Sequence, residues 1–506
     1  MLRAEIINKL AQNPSFDIVI IGGGATGLGA ALDAVTRGYS TLLIEAADFG
    51  KGTSSRSTKL VHGGVRYLAQ GNIKLVREAL HERGRLLKNA AHVTSVQPFV
   101  VPVYSLWDKL FYGIGLMVYD VLSGNLSLGK TKWLNKKRTK ALLPGIEEKK
   151  LVGGVLYYDG QFNDSRLCID LATTAIANGA ILLNYCRVVG FQKTNGKITG
   201  LTCKDQLQNK QYTIQAKSVI NATGVFTDAI LALDESDRDK LVSPSQGIHL
   251  VVHKHFFPGD HAMMIPKTDD GRVFFAVPWL DKIVLGTTDT AIDTIAEEPK
   301  ALKEEIEFVI NHFNRYAAAT IQRSDILSVF AGLRPLVKVK GAASTALLSR
   351  DHTLLISNSG LVTITGGKWT TYRKMGQDAI DNAIFSAKLE KKAACITKEL
   401  QIGDDKLKEE RVKEIEKADG DKAALLVAGY SIRLSEIVYA VRFELAVTVE
   451  DFLARRTRLL FLDARLSQHI APFVAEIMAH EMGMSHQWVE KQVESFNLLA
   501  QQYLVA

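Results

Sequence analysis

Glycines close to the N-terminus have the spacing of a dinucleotide-binding turn. Gly22, Gly24 and Gly27 satisfy the pattern G-x-G-x-x-G directly after the apolar run at residues 16–21. In such a turn the first glycine makes the tight bend, the second lets the backbone approach a pyrophosphate, and the third lets the following helix pack on the strand. N–H groups at the start of that helix face the phosphates. The spacing therefore predicts a site for FAD or NAD.

An acidic residue follows where such a site requires one. Glu45 closes a second apolar run at residues 41–45. Its carboxylate can accept hydrogen bonds from the ribose hydroxyls of the adenosine, which favours FAD or NAD over NADP. A glycine turn that serves packing alone is the alternative, and the agreement of strand, turn and carboxylate argues against it.

Two later glycine segments favour FAD over NAD. Ala222, Thr223 and Gly224 follow a buried apolar run, as in the second flavin-binding strand of glutathione-reductase-type flavoproteins. Gly366 and Gly367 precede a helix predicted to begin near Thr370, and its N-terminus could stabilise negative charge on a reduced flavin. The chain has a single G-x-G-x-x-G pattern, so a separate NAD domain is not expected.

These motifs need elements that bring them together. The runs 16–21 and 41–45 flank a helix that reaches about Arg37, which is a βαβ unit. Asn163 or Asp164 can cap a later helix, and Asn195-Gly196 predicts a hairpin. Short alternating segments after about residue 241 predict an antiparallel sheet, with one helix at about 302–313. Beyond the charged stretch 398–421 the pattern is helical.

The predicted fold class is α/β (α+β). A Rossmann-type FAD-binding subdomain, like those of glutathione reductase and D-amino-acid oxidase, is interleaved with an antiparallel-sheet substrate subdomain and followed by a C-terminal all-helical domain. We place the FAD-dependent oxidoreductase domain at 14–390 and the helical domain at 391–506. Its FAD-binding segments are expected at about 14–90, 160–240 and 350–390, and its substrate or cap segments at about 91–159 and 241–349.

Composition narrows the classes of partner. The net charge of +8 fits an anionic partner such as a phosphorylated metabolite, acidic lipid or nucleic acid. The cysteines Cys168, Cys186, Cys203 and Cys395 have no C-x-x-C spacing, so neither a disulfide framework nor a metal site is predicted. The N-terminus does not have the pattern of a signal peptide. The longest apolar run, at 110–122, is too short to cross a bilayer.

Several separated motifs resemble, in the same order, those of the FAD-dependent (aerobic, respiratory) glycerol-3-phosphate dehydrogenase family, bacterial type. They are Thr53-Ser54-Ser55, Lys59-Leu60-Val61-His62-Gly63-Gly64-Val65-Arg66-Tyr67-Leu68, Gly286-Thr287-Thr288-Asp289, Gly332-Leu333-Arg334-Pro335-Leu336, Ser349-Arg350-Asp351 and Gly366-Gly367-Lys368-Trp369-Thr370-Thr371-Tyr372-Arg373. Asp451-Phe452-Leu453 and Arg455-Arg456-Thr457 resemble the family's helical cap. Trp369 stands where a smaller apolar residue is common in the family. The calcium-binding extension of mitochondrial relatives is not expected in this chain.

The resemblance implies oxidation of glycerol 3-phosphate to dihydroxyacetone phosphate, with hydride transfer to FAD and onward transfer of electrons to a membrane quinone, ubiquinone or menaquinone. It implies catalytic roles for His249, Arg334 and Lys368. The implied substrate-binding residues are Arg66, Tyr67, His249, Arg334, Arg350 and Lys368. The implied cofactor contacts, beyond those above, are Thr53, Ser54, Ser55, His62, Gly63, Gly64, Lys368, Trp369 and Thr370.

Each implied role has a physical basis and an alternative. Guanidinium groups suit a phosphate, so Arg334 and Arg350 are predicted to hold it, with surface ion pairs as the alternative. The ordinary pKa of His249 suits proton abstraction, although a lone histidine in an apolar strand is more often a core residue. Lys368 could polarise the substrate oxygen, balance charge on the flavin, or be merely solvated.

A basic segment follows an aromatic one. The basic residues are Lys130, Lys132, Lys136, Lys137, Arg138 and Lys140, and the apolar ones upstream are Trp107, Phe111, Tyr112, Met117 and Tyr119. This arrangement suits peripheral or monotopic contact with anionic lipid, and a solvated face is the alternative. The resemblance implies a cytoplasmic protein on the inner face of the cell membrane, and it allows a homodimer.

Other functions remain as alternatives at this point. A glycerol-3-phosphate oxidase would share the fold and substrate and reduce oxygen. An amine or amino-acid oxidase would use an arginine for a carboxylate, which the blocks at 66–67 and 366–373 disfavour. A flavin-containing tRNA-modifying or nucleic-acid-binding protein has only the positive charge in its favour, since no RNA-recognition motif is present, and no nucleic-acid partner is predicted.

Overall fold

A computed structural model describes residues 3–12, 14–64, 72–268, 271–338 and 352–505 of the chain. The strands, in chain order, are β1 Ser15–Ile21, β2 Thr41–Ile44, β3 Leu60–Val61, β4 Thr94–Val103, β5 Lys132–Asn135, β6 Gly153–Phe162, β7 Ile181–Leu183, β8 Cys186–Thr194, β9 Lys197–Asp205, β10 Gln211–Asn221, β11 Val242–His253, β12 Ala262–Ile265, β13 Phe274–Trp279, β14 Lys282–Gly286, β15 Thr290–Ala291, β16 Ile326–Val337, β17 His352–Ile356 and β18 Val362–Gly366.

The helices follow the same numbering. In chain order they are α1 Arg3–Gln12, α2 Ala25–Thr36, α3 Ile73–Asn89, α4 Leu106–Ser123, α5 Lys136–Leu142, α6 Asp164–Ala177, α7 Thr227–Asp234, α8 Lys303–Tyr316, α9 Tyr372–Ser386, α10 Asp405–Ala418, α11 Leu434–Phe443, α12 Leu459–Leu462, α13 Ala464–Met482 and α14 His486–Gln501. A π-helix, Asp451–Arg456, lies between α11 and α12.

The first sheet, which we call the cofactor sheet, has the strand order β17-β18-β10-β1-β2-β7, and β9 joins β10 to β8. The strands from β18 to β7 are parallel. Ile20 pairs with Ile220 on one side and Leu43 on the other, and all three side chains are buried, as expected for a parallel strand covered on both faces. Helices α2 and α9 cover this sheet and contact each other at Gly29 and Gly376, where a Cβ would clash with the neighbouring backbone or Tyr372.

The second sheet, the substrate sheet, has the order β15-β11-β14-β13-β12-β4-β6-β3, with β16 beside β11 and β5 beside β6. Its longest pairing joins β11 to β16 in antiparallel register, from Val242 opposite Val337 to Val252 opposite Ile326. The substrate sheet takes its strands from residues between 60 and 162 and between 242 and 337, so the chain leaves the cofactor sheet for the substrate sheet twice and returns to it each time. This interleaving confirms the predicted fold class.

The C-terminal part is helical and packs against the substrate sheet. Its core residues share one apolar cluster with Val251, Val284 and Phe330 of that sheet. The chain then returns to β16, where Val329 N donates to Tyr503 O at 2.8 Å. The first helix of this part is α10, which lies inside the charged stretch 398–421. The predicted domain boundary near residue 390 stays a prediction.

Local signals placed several elements correctly. Asn163 caps α6 by accepting a hydrogen bond from Arg166 N, and Asn195 and Gly196 form the turn between β8 and β9 with φ values of +51° and +74°. The helix expected near Thr370 begins at Tyr372, because residues 369–371 first form a 3₁₀ turn. None of the described helices is both long and apolar enough to cross a bilayer.

Helix α4 contains the apolar run that the sequence placed near the membrane. Exposed large side chains recur on one face of this helix at Trp107, Leu110, Phe111, Ile114 and Val121. Tyr119 was expected among them, and this expectation is wrong. Its side chain is 1% exposed because it points to the opposite side of α4, where the hydroxyl donates to Asp159 at 2.9 Å.

Candidate active site

The glycine turn forms one wall of a cavity of about 410 Å³. Gly22 has a φ of +108°, and a Cβ there would lie 2.7 Å from the Ala222 carbonyl oxygen. A Cβ on Gly27 would lie 1.8 Å from Gly22 O. A Cβ on Gly24 would meet, among described residues, only the Ser54 hydroxyl, at 3.2 Å. Packing therefore requires the first and third glycines, whereas the second keeps open the space that a pyrophosphate needs.

The Glu45 carboxylate lies directly after β2 and lines the same cavity. Oε2 accepts a hydrogen bond from Gly23 N at 2.6 Å, and Oε1 accepts one from Ala47 N at 2.8 Å. Burial raises the pKa of this carboxyl, and the two N–H groups act in the opposite direction. The bonds hold the carboxylate in place at the cavity wall, a position that suits the predicted contact with a ribose.

The 3₁₀ turn Thr53–Ser55 joins the two sheets. Thr53 Oγ1 donates to Leu333 O of β16 at 2.6 Å. Ser54 Oγ accepts from Ala25 N, the first residue of α2, at 3.0 Å, and Ser54 O accepts from Trp369 Nε1 at 2.8 Å. Thr53 and Ser54 line the cavity, whereas Ser55 is buried. The turn therefore connects the glycine turn with the substrate sheet.

The other end of the cavity lies where β18 meets α9. Gly367 has a φ of +70°, and a Cβ there would lie 2.5 Å from the sulfur of Met375. Lys368 and Trp369 line the cavity at this end. Thr370 is buried, and its hydroxyl donates to His62 O at 3.0 Å. This bond links the segment after β18 to the glycines at 63 and 64.

Gly63 and Gly64 are required for different reasons. A Cβ on Gly63 would lie 2.4 Å from Leu80 and 2.6 Å from the Tyr119 hydroxyl, so on that side its small size serves packing. Its N–H donates to the Tyr119 hydroxyl at 2.7 Å. Gly64 has a φ of +80°, which favours glycine.

The cavity collects twelve of the predicted cofactor residues. Those that line it are Gly22, Gly24, Glu45, Thr53, Ser54, Ala222, Thr223, Gly224, Gly366, Gly367, Lys368 and Trp369. The remaining predicted ones are Gly27, Ser55, His62, Gly63, Gly64 and Thr370, and they lie behind the lining or in its supporting segments. Gly27 and Thr370 contribute through the packing and the hydrogen bond described above.

His249 lies on β11, and its imidazole is 2% exposed. The ring stacks on Phe330 with centroids 5.0 Å apart, and Nε2 lies 2.9 Å from Thr58 Oγ1. The buried Nδ1 has no hydrogen-bond partner among the described residues. Burial, together with the positive charges of Lys59 and Arg334, lowers the pKa of His249 well below its ordinary value. The imidazole is therefore neutral, which a proton acceptor requires.

Arg334 lies on β16 opposite Ser245, on the sheet face that also carries Gly247 and His249. Its Nη1 donates to Asp289 Oδ1 at 3.1 Å, and its Nη2 donates to Thr287 Oγ1 at 3.0 Å. A Cβ on Gly247 would lie 2.2 Å from Nη2, so this glycine leaves the space that the guanidinium occupies. The next residue, Pro335, lines the cavity. The strand pairing thus places a guanidinium and a neutral imidazole on one face of the substrate sheet, and β16 itself reaches the cavity at Pro335.

Three predicted substrate residues, Arg66, Tyr67 and Arg350, lie outside the described residues. Their predicted roles stay predictions. Of the other three, His249 and Arg334 come together through β11 and β16, and Lys368 reaches the cavity from the segment after β18.

Sequence reasoning did not single out the polar residues that orient these groups. Thr287 and Asp289 hold Arg334, and the motif at 286–289 to which they belong does not by itself show which side chain they contact. Thr58 contacts His249 and has no sequence signal of its own.

Lys59 pairs with Asp164 at 2.7 Å, and both side chains are fully buried. Burial lowers the pKa of Lys59 to about 7, although Asp164 acts in the opposite direction.

The fold and this site define an FAD-dependent oxidoreductase. A glycine cradle at the start of α2, a carboxylate after β2 and a helix start after β18 enclose one cavity, and this set of groups fits FAD. In agreement, residues 17–373 match the family described as FAD dependent oxidoreductase. Residues 408–489 match the C-terminal domain of alpha-glycerophosphate oxidase.

Individual relatives narrow the class. The mitochondrial glycerol-3-phosphate dehydrogenase of Macaca fascicularis is 38% identical, over 96% of this chain and 73% of the relative. That of Arabidopsis thaliana is 36% identical, over 96% of this chain and 85% of the relative. The solved structure of the glycerol-3-phosphate dehydrogenase from Bacillus halodurans, complexed with FAD, has a TM-score of 0.80 and 29% identity, covering 99% of this chain and 97% of that one.

The chain belongs to the FAD-dependent glycerol-3-phosphate dehydrogenase family. It is an enzyme, and its cofactor is FAD.

Proposed function

We propose that this enzyme oxidises sn-glycerol 3-phosphate to dihydroxyacetone phosphate and passes the electrons to a membrane quinone. The names of the relatives support the substrate. The observation that carries the proposal is the shared face of β11 and β16, which carries both Arg334 and the neutral His249 on a sheet whose Pro335 lines the cavity. A phosphate anchor and a proton acceptor are what this oxidation requires of the protein.

The cofactor residues proposed above would hold FAD, which supplies the acceptor for a hydride from the substrate carbon. We assign the phosphate to Arg334, because a guanidinium is always positively charged and suits a phosphate. Asp289 and Thr287 hold that guanidinium in one orientation. Removal of a hydride and a proton leaves the carbonyl of the product, so one further group must take the hydroxyl proton.

His249 is the group that takes this proton. If its Nε2–H donates to the Thr58 hydroxyl, the lone pair of Nδ1 is left to accept the proton. Nearby cations help to depress the pKa of His249 in the free protein, and a bound phosphate dianion would offset them and raise that pKa toward the value a base needs. Lys368, at the cavity end, polarises the substrate oxygen.

An anaerobic mixing experiment tests the oxidation itself. Glycerol 3-phosphate added to the purified holoenzyme should bleach the oxidised flavin band within the time of one turnover. Plain glycerol, which lacks the phosphate, should bleach the band far more slowly. A flavin band that persists at saturating glycerol 3-phosphate would contradict the proposed substrate.

The surface around α4 supports a membrane acceptor over oxygen. Trp107 is 73% exposed and Phe111 is 57% exposed on the apolar face of this helix. Trp133 of β5 packs on α4 at Gly113, so the basic segment that contains Trp133 lies beside this helix. Its predicted members, from Lys130 to Lys140, are exposed. Apolar and basic side chains side by side suit the surface of a membrane that contains anionic lipid, and the quinone dissolves in such a membrane.

Two measurements test this surface and the acceptor. The double variant Lys136→Glu with Lys137→Glu should shift the holoenzyme from sedimenting vesicles of anionic lipid to the supernatant, since each basic residue near the surface contributes about 1 kcal/mol. Lys413→Glu with Lys417→Glu, on exposed positions of α10, is the matched control. Equal sedimentation of both variants would leave the basic segment as a solvated face. Fast reduction of oxygen and no reduction of a quinone analogue would favour the oxidase alternative.

A further inference from the structure

The segment that follows β2 and leads into the turn at 53–55 lines the cofactor cavity before and after one buried carboxylate. Residues 45–47 and 50–54 line the cavity, and Asp48 between them is fully buried. We call residues 45–54 the cofactor loop. The loop begins at Glu45 and ends at Ser54, and both are proposed cofactor contacts. Because Asp48 lies between them, a shift of Asp48 would move both contacts.

The cofactor loop is tied directly to the glycine turn. Gly50 N donates to Gly23 O at 2.9 Å, and Gly23 N donates to the Glu45 carboxylate at 2.6 Å. Ser54 accepts from the first N–H of α2, on Ala25. Any displacement of the loop would therefore displace the backbone that is to cradle the pyrophosphate.

Two consecutive arginines of the C-terminal part converge on Asp48. Arg455 Nε and Arg456 Nη1 both donate to Asp48 Oδ2, and Arg456 Nη2 donates to Oδ1 at 3.1 Å. Burial alone would raise the pKa of the Asp48 carboxyl, but the guanidinium groups of Arg456 and Arg455 hold it below its ordinary value. The π-helix Asp451–Arg456 presents these neighbouring side chains to one carboxylate, and such helices are frequent at functional sites.

Further contacts extend this attachment along the loop. Lys51 Nζ lies 2.9 Å from Glu450 Oε2, and Glu450 also accepts from Arg455 at 2.6 Å. Just beyond the loop, Arg458 Nη2 donates to Ser55 O at 2.7 Å. The C-terminal part therefore holds the loop at its middle and at its exit.

We propose that the C-terminal helical part retains FAD, with Arg455 and Arg456 as positioning residues that fix the cofactor loop through Asp48. Neither arginine is among the residues that line the cavity, so their effect passes through the loop. A buried carboxylate is stable only while it is fully paired. When one guanidinium is lost, the loop should shift so that water can reach the Asp48 carboxylate. The proposal depends on the placement of FAD in this cavity and not on the identity of the substrate.

The test measures release of FAD from the holoenzyme after dilution, followed by the rise of free-flavin fluorescence. Arg456→Ala should release FAD at least tenfold faster than the parent. Arg456→Lys, which keeps the charge and loses the fork, should show an intermediate rate. Arg442→Ala is the control, because Arg442 pairs with Glu481 on the exposed surface of the same helical part.

Melting temperatures with and without added FAD separate cofactor retention from simple domain docking. A ligand stabilises the folded state according to its affinity, so Arg456→Ala should reduce the increment that added FAD produces. An unchanged release rate, with equal lowering of both melting temperatures, would overturn the proposal. If Arg456→Ala does not fold, parent-like release by Arg456→Lys overturns it. Because no substrate is used, failure here leaves the anaerobic bleaching result unaffected.

Discussion

The cofactor cavity and the face of the substrate sheet that carries Arg334 and His249 are constructed differently. In the cavity, backbone geometry and the absence of side chains define the space at the glycine turn, where three glycines lie within six residues. On the substrate face, side chains from β11, β16 and the segment before β3 define the site, through bonds such as Thr58 to His249 across 191 residues. The first construction has no tolerance for added atoms. The second should respond to substitution in graded steps.

The largest effect should come from a side chain at Gly24. Gly24→Val should yield folded protein without FAD, because the free protein needs only a small shift of Ser54 whereas the pyrophosphate would lose its space. The ratio of flavin to protein absorbance after purification measures the loss. Gly27→Val is the comparison, and it should lower the melting temperature itself, since its Cβ would overlap Gly22 O. Stoichiometric FAD in Gly24→Val would refute the placement of the cofactor.

Removal of the proposed base should come next. His249→Gln should lower kcat by about 10²–10⁴, the usual contribution of a positioned acid or base, and leave bound FAD unchanged. Steady-state kinetics with a quinone analogue give kcat, and the flavin absorbance checks the cofactor. A variant with parental kcat would assign the proton transfer to another group.

His249 also predicts a pH dependence of stability. Its folded pKa lies well below 6.5, so the unfolded chain binds a proton that the folded chain does not. Stability should therefore fall as the pH decreases below about 6.5, the ordinary histidine value. His249→Gln should lose less stability than the parent over that range in urea titrations. Parallel losses in the two proteins would mean that the imidazole is not held neutral.

Arg334 should show a smaller and selective effect. A hydrogen bond to a charged group contributes about 1.5–3 kcal/mol, so Arg334→Ala should weaken glycerol 3-phosphate binding by at least about tenfold. Arg334→Lys should recover part of this, because an ammonium keeps the charge and lacks the fork. Oxidation of plain glycerol should be equally poor in the parent and both variants. An equal loss toward both substrates, or loss of FAD, would make Arg334 structural.

The smallest effect should follow from Thr58. Thr58→Val removes one hydrogen bond to His249, worth about 0.5–1.5 kcal/mol, so kcat should fall by up to about tenfold while the KM changes little. Thr58→Ser keeps the hydroxyl and should retain most of the parental rate. If both variants have the same kcat, the hydroxyl does not orient the imidazole.

The same contrast explains what the sequence could predict. The glycine turn, Glu45 and the segment after β18 are local patterns, and they line one cavity as expected. Tyr119 was placed on the lipid face because the apolar run by itself does not show which face of α4 is covered. Its partner Asp159 lies 40 residues later, on β6. Contacts of that kind depend on the pairing of strands and on the interleaving of the two sheets.

The neutral state of His249 could not be predicted either. Its pKa depends on burial and on the charges of Lys59 and Arg334, and both arise only in the folded chain. Likewise the residues Thr287 and Asp289 were visible as a motif, but their task of holding a guanidinium follows from the pairing of β11 with β16.

The attachment of Arg456 to Asp48 across 408 residues has a consequence for biosynthesis. At about 5–20 residues per second, a ribosome needs roughly 20–80 s to make the intervening chain. The glycine turn therefore emerges early, and the arginines that steady its neighbouring loop emerge much later. On the proposal above, a nascent chain holds flavin loosely until residue 456 is in place, so firm loading of the cofactor marks a polypeptide that has been translated to its C-terminal helices.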